Sequence, residues 1–250
     1  MAAAPSARHS VPVRLVALVL VLALAACAPR SRLHAGFDFA AFKRSPTVLG
    51  GVANRVKASD VGFVSREEID DLMEARFMKL RRDLSFVRAG VLRERIGEAR
   101  YLELIDRYLS GAGIDTSTYV MLREAMGADA RYLALARIDS VTVTHGETTR
   151  DPDYNVKTDN DEIIKSTHRN VWITLNLFDL EARGEMWSAI QAGSASNDVA
   201  FSADRTGGSR GVIAALKVAF RSDPDYPPPP GAHKAIGEAL SYLAMRIPKR

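Results

Sequence analysis

The chain of 250 residues contains one cysteine, Cys27. A single thiol excludes an intrachain disulfide, a Cys-x-x-Cys redox pair and a thiolate metal cluster. The formal charge is only +4. Residues 1–26 hold Arg8 and Arg14 and no acid, so the remainder is close to +2. That is too mild to mark a polyanion partner, and no nucleic-acid binding is expected. Catalytic signatures are missing as well. There is no Gly-x-Ser-x-Gly elbow. Gly207-Gly208-Ser209-Arg210-Gly211 precedes a helical pattern but lacks the Lys-Ser/Thr ending of a phosphate loop. Its plain reading is a loop with Ser209 as a helix cap. The histidines His9, His34, His145, His168 and His233 are scattered, with no pair at i, i+4 ligand spacing. His145 and His168 could face each other across a hairpin. Glu67/Glu68 and Asp70/Asp71 are adjacent on a predicted helix and point apart. Near its start they suit the helix dipole. The expectation is a protein that is not an enzyme and needs no metal or cofactor.

What is present begins at the N-terminus. Val11 to Ala26 is an apolar run, preceded by Arg8, interrupted by Arg14 and closed by Leu24-Ala25-Ala26-Cys27. A cationic start, a short apolar stretch and small residues before a cut form a secretory signal. It is short for a membrane span, which needs roughly 20 apolar residues. Leu24, Ala25, Ala26 and Cys27 together resemble the lipobox of bacterial lipoproteins. That resemblance implies cleavage between Ala26 and Cys27 and a covalent lipid (palmitate-type acyl chains) on Cys27. Two or more acyl chains anchor stably where one binds marginally. Ala28 in place of Asp resembles the class retained at the outer membrane of diderm bacteria. An ordinary signal peptide cut near an Ala-x-Ala site is the plainer alternative.

The expected organisation is a signal peptide over 1–26, a lipid-anchored tether over 27–45 and one periplasmic domain over 46–250. Eighteen flexible residues reach about 25 Å, although Phe37, Phe39 and Phe42 should pack on the domain and shorten this. Thr47 to Ala53 reads as a buried strand whose Gly50 and Gly51 suggest close approach by another backbone. Ser65 and Glu68 form a capping box. Ile69, Leu72, Met73, Phe77 and Leu80 follow at helical spacing. A short strand at Phe86-Val87 precedes helices over 98–110 (Leu102, Ile105, Leu109) and 116–126, the latter capped by Asp115 or Thr116. The period then changes to strands, over 131–143, through Val171, Ile173, Leu175 and Leu177, and over 185–194, with a polar loop at 146–162. Helices over 209–220 and through Ile236, Ala239, Leu240, Leu243 and Ile247 end the chain, separated by the stiff Pro227–Pro230 spacer. The fold class is α/β (α+β), a single domain with a mixed sheet.

This element order, with Asp179-Leu180-Glu181-Ala182-Arg183-Gly184-Glu185-Met186-Trp187 and the helix-to-strand join Met126-Gly127-Ala128-Asp129-Ala130-Arg131-Tyr132-Leu133, resembles a group of envelope lipoproteins. They share a domain similar to the N-terminal domain of TolB. The group includes the curli-secretion-channel lipoprotein and the lipoprotein activators of penicillin-binding proteins. The resemblance covers about residues 46–247. It implies assembly or regulation of an envelope complex, with envelope proteins as partners and homo-oligomerisation as an option.

Two further constellations bear on binding. Asp151, Asp153, Asn155, Asp159 and Glu162 fall at positions 1, 3, 5, 9 and 12 of a twelve-residue window, the spacing of a calcium loop. Val156 stands where the turn needs Gly, Lys157 sits at position 7, and the flanks read as strands. A solvated acidic loop is the competing reading. Arg76, Lys79, Arg81, Arg82, Arg88, Arg93, Arg95, Arg100 and Arg107 could offer a phosphate-binding face or a solvated helix face with i, i+4 pairs. The functional expectation is an outer-membrane-anchored periplasmic lipoprotein that scaffolds, assembles or regulates an envelope complex. The alternative is an oligomeric export-channel subunit, for which the 138–172 hairpin with Asp139, His145, Glu147 and Arg150 is the one candidate.

Overall fold

The computed structural model describes residues 31–54, 56, 64–150, 160–204 and 225–249. The signal segment expected over 1–26, Cys27, the glycine-rich stretch at 207–211, the helix expected over 209–220 and most of the acidic window at 151–162 lie outside the described residues. Of that window Glu162 falls in a strand opposite Arg150.

The described elements are β1 (Ser31–Leu33), α1 (Phe39–Arg44), β2 (Thr47–Asn54), α2 (Arg66–Leu80), β3 (Phe86–Val87), α3 (Ala89–Ile96), α4 (Glu98–Ser110), α5 (Thr116–Met126), β4 (Tyr132–Arg150), β5 (Asn160–Asp179), β6 (Gly184–Asp204) and α6 (Ala232–Arg246). Six strands form one mixed sheet in the order β1-β6-β5-β4-β2-β3. β2 is parallel to β3 and β4, and the other pairs are antiparallel. The α+β class with a mixed sheet is what the strand-helix-strand and meander patterns predict.

Helices cover both sheet faces. On one face Phe42 of α1, Ile69, Met73 and Phe77 of α2, and Ile236, Leu240 and Leu243 of α6 pack on Leu49, Val52, Ala134, Ile173 and Leu175. On the other, Leu92 of α3, Tyr101 and Ile105 of α4, and Tyr119 and Leu122 of α5 pack on Val48, Leu133, Leu135 and Phe178. Burial of such side chains contributes roughly 1.5–3 kcal/mol each, which is why β2 and the first half of β4 are apolar on both faces.

Local signals place the helices. Ser65 accepts from Glu68 N while the Glu68 carboxylate accepts from Ser65 N, completing the capping box. Asp115, rather than Thr116, caps α5 through Thr118 N. In α4 the buried side is Tyr101, Leu104, Ile105 and Tyr108, while Leu102 is exposed. The expected face was offset because tyrosine counts as half polar in a hydropathy pattern.

Residues 31–45, read as tether, are partly folded. β1 pairs with β6, Ser31 opposite Ala189 and Leu33 opposite Trp187. Asp38 caps α1 by accepting from Ala41 N, and Phe37, Phe39 and Phe42 form a ring cluster that reaches Tyr132. The strands of the meander are also longer than their apolar stretches. β4, β5 and β6 have 19, 20 and 21 residues, so the supposed loop at 146–162 begins and ends as strand.

Candidate functional site

Two features stand apart from the apolar packing: a long β arm and a buried polar cluster beside β2. The arm follows from strand lengths. β2 accompanies β4 only as far as Asn54 opposite Ile138, and β1 accompanies β6 only over Trp187–Ala189. Beyond these points β4, β5 and β6 continue as a three-stranded ribbon whose register is unbroken from Ser140–Trp172 to Arg150–Glu162. Eleven residues at about 3.3 Å each give roughly 36 Å. Among the described residues, no strand pairs with the outer edge of β4 past Ile138 or with the outer edge of β6 past Ala189.

Directly opposed residues share a face and successive residues alternate, so the two faces of the ribbon can be read from register. One carries Thr142, Thr144, Asn170, His168, Ser194 and Ser196, all exposed or half-buried. The other carries the buried row Lys165, Thr167 and Arg169 on β5. Tyr226 covers part of this row, its ring 4.6 Å from that of His145 and 5.2 Å from Lys165 Nζ. Asn197 Nδ2 donates to Pro228 O at 2.8 Å, so the proline segment crosses the same face as a strap. Arg169 Nε is buried and has no hydrogen-bond partner among the described residues. His145 and His168 do not face each other: His145 pairs with Thr167, and His168 with Thr144, on opposite faces.

The second feature surrounds Asp70. Its position on α2 is three residues before Met73 and seven before Phe77, on the buried side. Asp70 Oδ1 accepts from Val52 N at 2.7 Å, and Oδ2 lies 3.1 Å from Arg93 Nη2. The Tyr101 hydroxyl donates to Gly50 O at 3.1 Å and sits 3.4 Å from Asp70 Oδ2. Arg93 lies over the Tyr101 ring, 4.7 Å from its centre. Burial pushes the Asp70 carboxyl up to about 6, against the opposing pull of the Val52 amide and Arg93. Burial likewise pushes the Tyr101 phenol up to about 12. The cluster exists because β2 bulges between Leu49 and Val52. Gly51 takes φ +92° there, a conformation glycine adopts without penalty. Gly50 and Gly51 are approached by side chains, Leu133 and Leu135 on one side and Tyr101 and Asp70 on the other, rather than by another backbone. Asp70 therefore fastens the bulge and has no dipole duty at the surface.

Arg81, Arg88, Arg93, Arg95 and Arg107 of the arginine-rich segment are each paired with an acid. Arg81, almost wholly buried, forms a bidentate pair with Asp83 at 2.8 Å and donates to Ile247 O at 2.7 Å, closing the C-terminus of α6. Arg95 reaches Asp129, and Arg107 reaches Glu103 and Asp115. Of these only Arg107–Glu103 is an i, i+4 pair. The Asp179–Gly184 phrase is a turn with its own physical demands: Asp179 Oδ1 accepts from Glu181 N and Ala182 N, Oδ2 binds Arg131, and Arg183 has φ 54°. Among the described residues no group of three or more His, Cys, Asp or Glu is placed to hold a metal ion. Nor is any described helix long and apolar enough to cross a membrane.

No protein-family model matches the sequence, and no curated protein matches it. Among solved structures, lipoprotein GNA1162 from Neisseria meningitidis aligns at 13% identity and TM-score 0.35, covering 70% of this chain and 94% of that one. The PelC dodecamer from Paraburkholderia phytofirmans aligns at 13% identity and TM-score 0.30, covering 84% and 94%. The LpoB C-terminal domain from Salmonella enterica aligns at 13% identity and TM-score 0.32, covering 59% and 81%. At these TM-scores the likenesses carry no argument about activity or partners.

Proposed function

We propose that this chain is a periplasmic lipoprotein held at the outer membrane by lipid on Cys27, and that it acts without catalysis, as a scaffold or regulatory subunit of an envelope protein complex. The observation that carries the reading is the position of the sole cysteine, directly after Leu24-Ala25-Ala26 at the end of an apolar leader. The described polar clusters support it. Asp70, Arg81 and Asp179 each fasten a bulge, a helix end or a turn, which accounts for their burial without a substrate. The β arm supplies surface for a protein partner, its outer β4 edge past Ile138 unpaired by any other described strand. Cross-linking from the arm in intact host cells tests the proposal, with Cys27→Ala as the mislocalised control. Recovery of a defined envelope protein is expected. Failure to capture any from the wild-type chain counts against the scaffold role.

The same edge favours a second reading, an oligomeric export-channel subunit. Edge-to-edge pairing of β4 on one copy with β6 on the next is head-to-tail and can close a ring. The strands exceed the 9–11 residues a bilayer crossing needs, but the hydroxyl-rich face lacks an apolar band. Native mass spectrometry in detergent separates the two readings, because a monomer is incompatible with a ring.

A further inference from the structure

The place where the chain enters the domain, combined with what surrounds it, identifies a membrane-facing side; this inference rests on the lipid anchor at Cys27. Ser31 lies opposite Ala189 on the antiparallel β6, so the chain arrives from the Ile190 side of that edge. Cys27 and Ser31 are four residues apart, which an extended chain spans in at most about 14 Å. Since β1 and α1 are folded onto the domain, a lipid on Cys27 would hold one face of the protein against the bilayer rather than let it swing.

The surface at this edge suits that role. Ile190, Tyr242 and Met245 are 45%, 42% and 45% exposed, large values for such side chains. Tyr242 and Met245 line a depression with Gln191, Ala192 and Arg246. Ile190 lines another with Ser31 and Arg32 on the opposite sheet face. All three apolar side chains therefore flank the same short piece of β6, beside the point of entry. Two cations, Arg32 and Arg246, stand among them. The nearby acid, Glu238, is engaged, accepting from Ser194 N and from the Tyr242 hydroxyl. Single exposed apolar residues are ordinary; their grouping with cations at the tether's root is what needs a cause. Tyrosine suits a headgroup layer, with an apolar ring and a polar tip, and basic side chains are drawn to anionic lipid.

We infer that the β6 edge at Ile190–Ala192, with Tyr242 and Met245 at its centre and Arg32 and Arg246 beside it, rests on the bilayer that holds the Cys27 lipid. Tyr242 and Met245 enter the headgroup level, and the two arginines face lipid phosphates.

Spin-label depth measurement on the full lipidated protein tests this, in vesicles of phosphatidylethanolamine and phosphatidylglycerol. Acylation blocks Cys27, so a cysteine introduced by Met245→Cys or Tyr242→Cys is the sole labelling site. Val120→Cys, on α5 across the sheet, is the aqueous reference. The expected result is a several-fold rise in the oxygen-to-nickel collision ratio at 245 and 242 over that at 120. Equal ratios at all three sites overturn the inference, as does a label at 245 shielded from both reagents, which marks a protein interface instead. The mass of the mature N-terminus separates the two levels of the argument. An unacylated Cys27 overturns the anchor and this face together, whereas an acylated chain with an aqueous 245 label overturns the face alone.

Discussion

Gly51→Ala probes the buried cluster where its geometry is tightest. A Cβ on Gly51 would overlap the Tyr101 hydroxyl and lie 2.7 Å from Asp70 Oδ1. Neither neighbour can simply retreat, since Tyr101 is fully buried and Asp70 nearly so. Tyr101 would surrender its bond to Gly50 O, or Asp70 its bond to Val52 N. Losing one such buried bond costs about 1–3 kcal/mol. Holding an L-residue at φ +92° adds roughly 1–2 kcal/mol. The expected loss is therefore about 2–5 kcal/mol, a large part of the 5–15 kcal/mol typical of a domain. Urea unfolding should show it as a lower midpoint at unchanged slope. Gly90→Ala is the control, because nothing lies within 4 Å of its added methyl and its φ is not positive; it should be neutral or stabilising by up to about 1 kcal/mol. Adding Tyr101→Phe to Gly51→Ala removes the clashing oxygen, so the double variant should be less damaged than the sum of the singles. A Gly51→Ala loss below about 1 kcal/mol, with no coupling to Tyr101, would refute the reasoning.

Other outcomes follow from the same contacts. Asp70 should titrate near pH 6 by carboxyl-selective NMR. A carboxyl raised in the folded state contributes stability that is complete below its ordinary value near 3.8 and lost as pH climbs through about 6; the stability of wild type relative to Asp70→Asn should fall across that window, and a midpoint below 4 contradicts the burial argument. Ser65→Ala removes one half of the capping box and should cost about 1 kcal/mol in urea unfolding, while an unchanged midpoint would mean that the α2 start is held by packing alone. Arg81→Met strips donors from the Ile247 and Ala244 carbonyls and should cost roughly 2–4 kcal/mol, with faster amide exchange in the last turn of α6; unaltered exchange there would disprove its closing role.

Much of the core was legible because one signal dominated it. Val171, Ile173, Leu175 and Leu177 alternate in sequence and are all buried, and the Ser65–Glu68 pair announces α2 before its apolar stripe begins. Where burial does not select hydropathy, the pattern fades. The arm strands continue through serine, threonine and charged residues because they are held by backbone pairing, so their length could not be read from apolar alternation. α1 and α3 are short, and short helices carry too few turns to show a period. Asp70 was legible in principle, since it shares the i, i+3, i+7 row with Met73 and Phe77. A carboxylate on an apolar stripe signals a buried partner, but Arg93 and Tyr101 come from other helices, and sequence spacing cannot bring them together. The proposed lipid site differs in kind, resting on a short contiguous motif that is read without any fold.

Acylation of Cys27 is the chemistry on which the proposed anchoring depends. Metabolic labelling with a clickable palmitate analogue in a diderm host, followed by membrane fractionation and mass measurement of the mature N-terminus, tests it. The prediction is a chain that begins at Cys27, carries acyl groups there and fractionates with the outer membrane, with label and membrane association both abolished in Cys27→Ala. An unlabelled wild-type chain, cleaved elsewhere or recovered free in the periplasm, would contradict it.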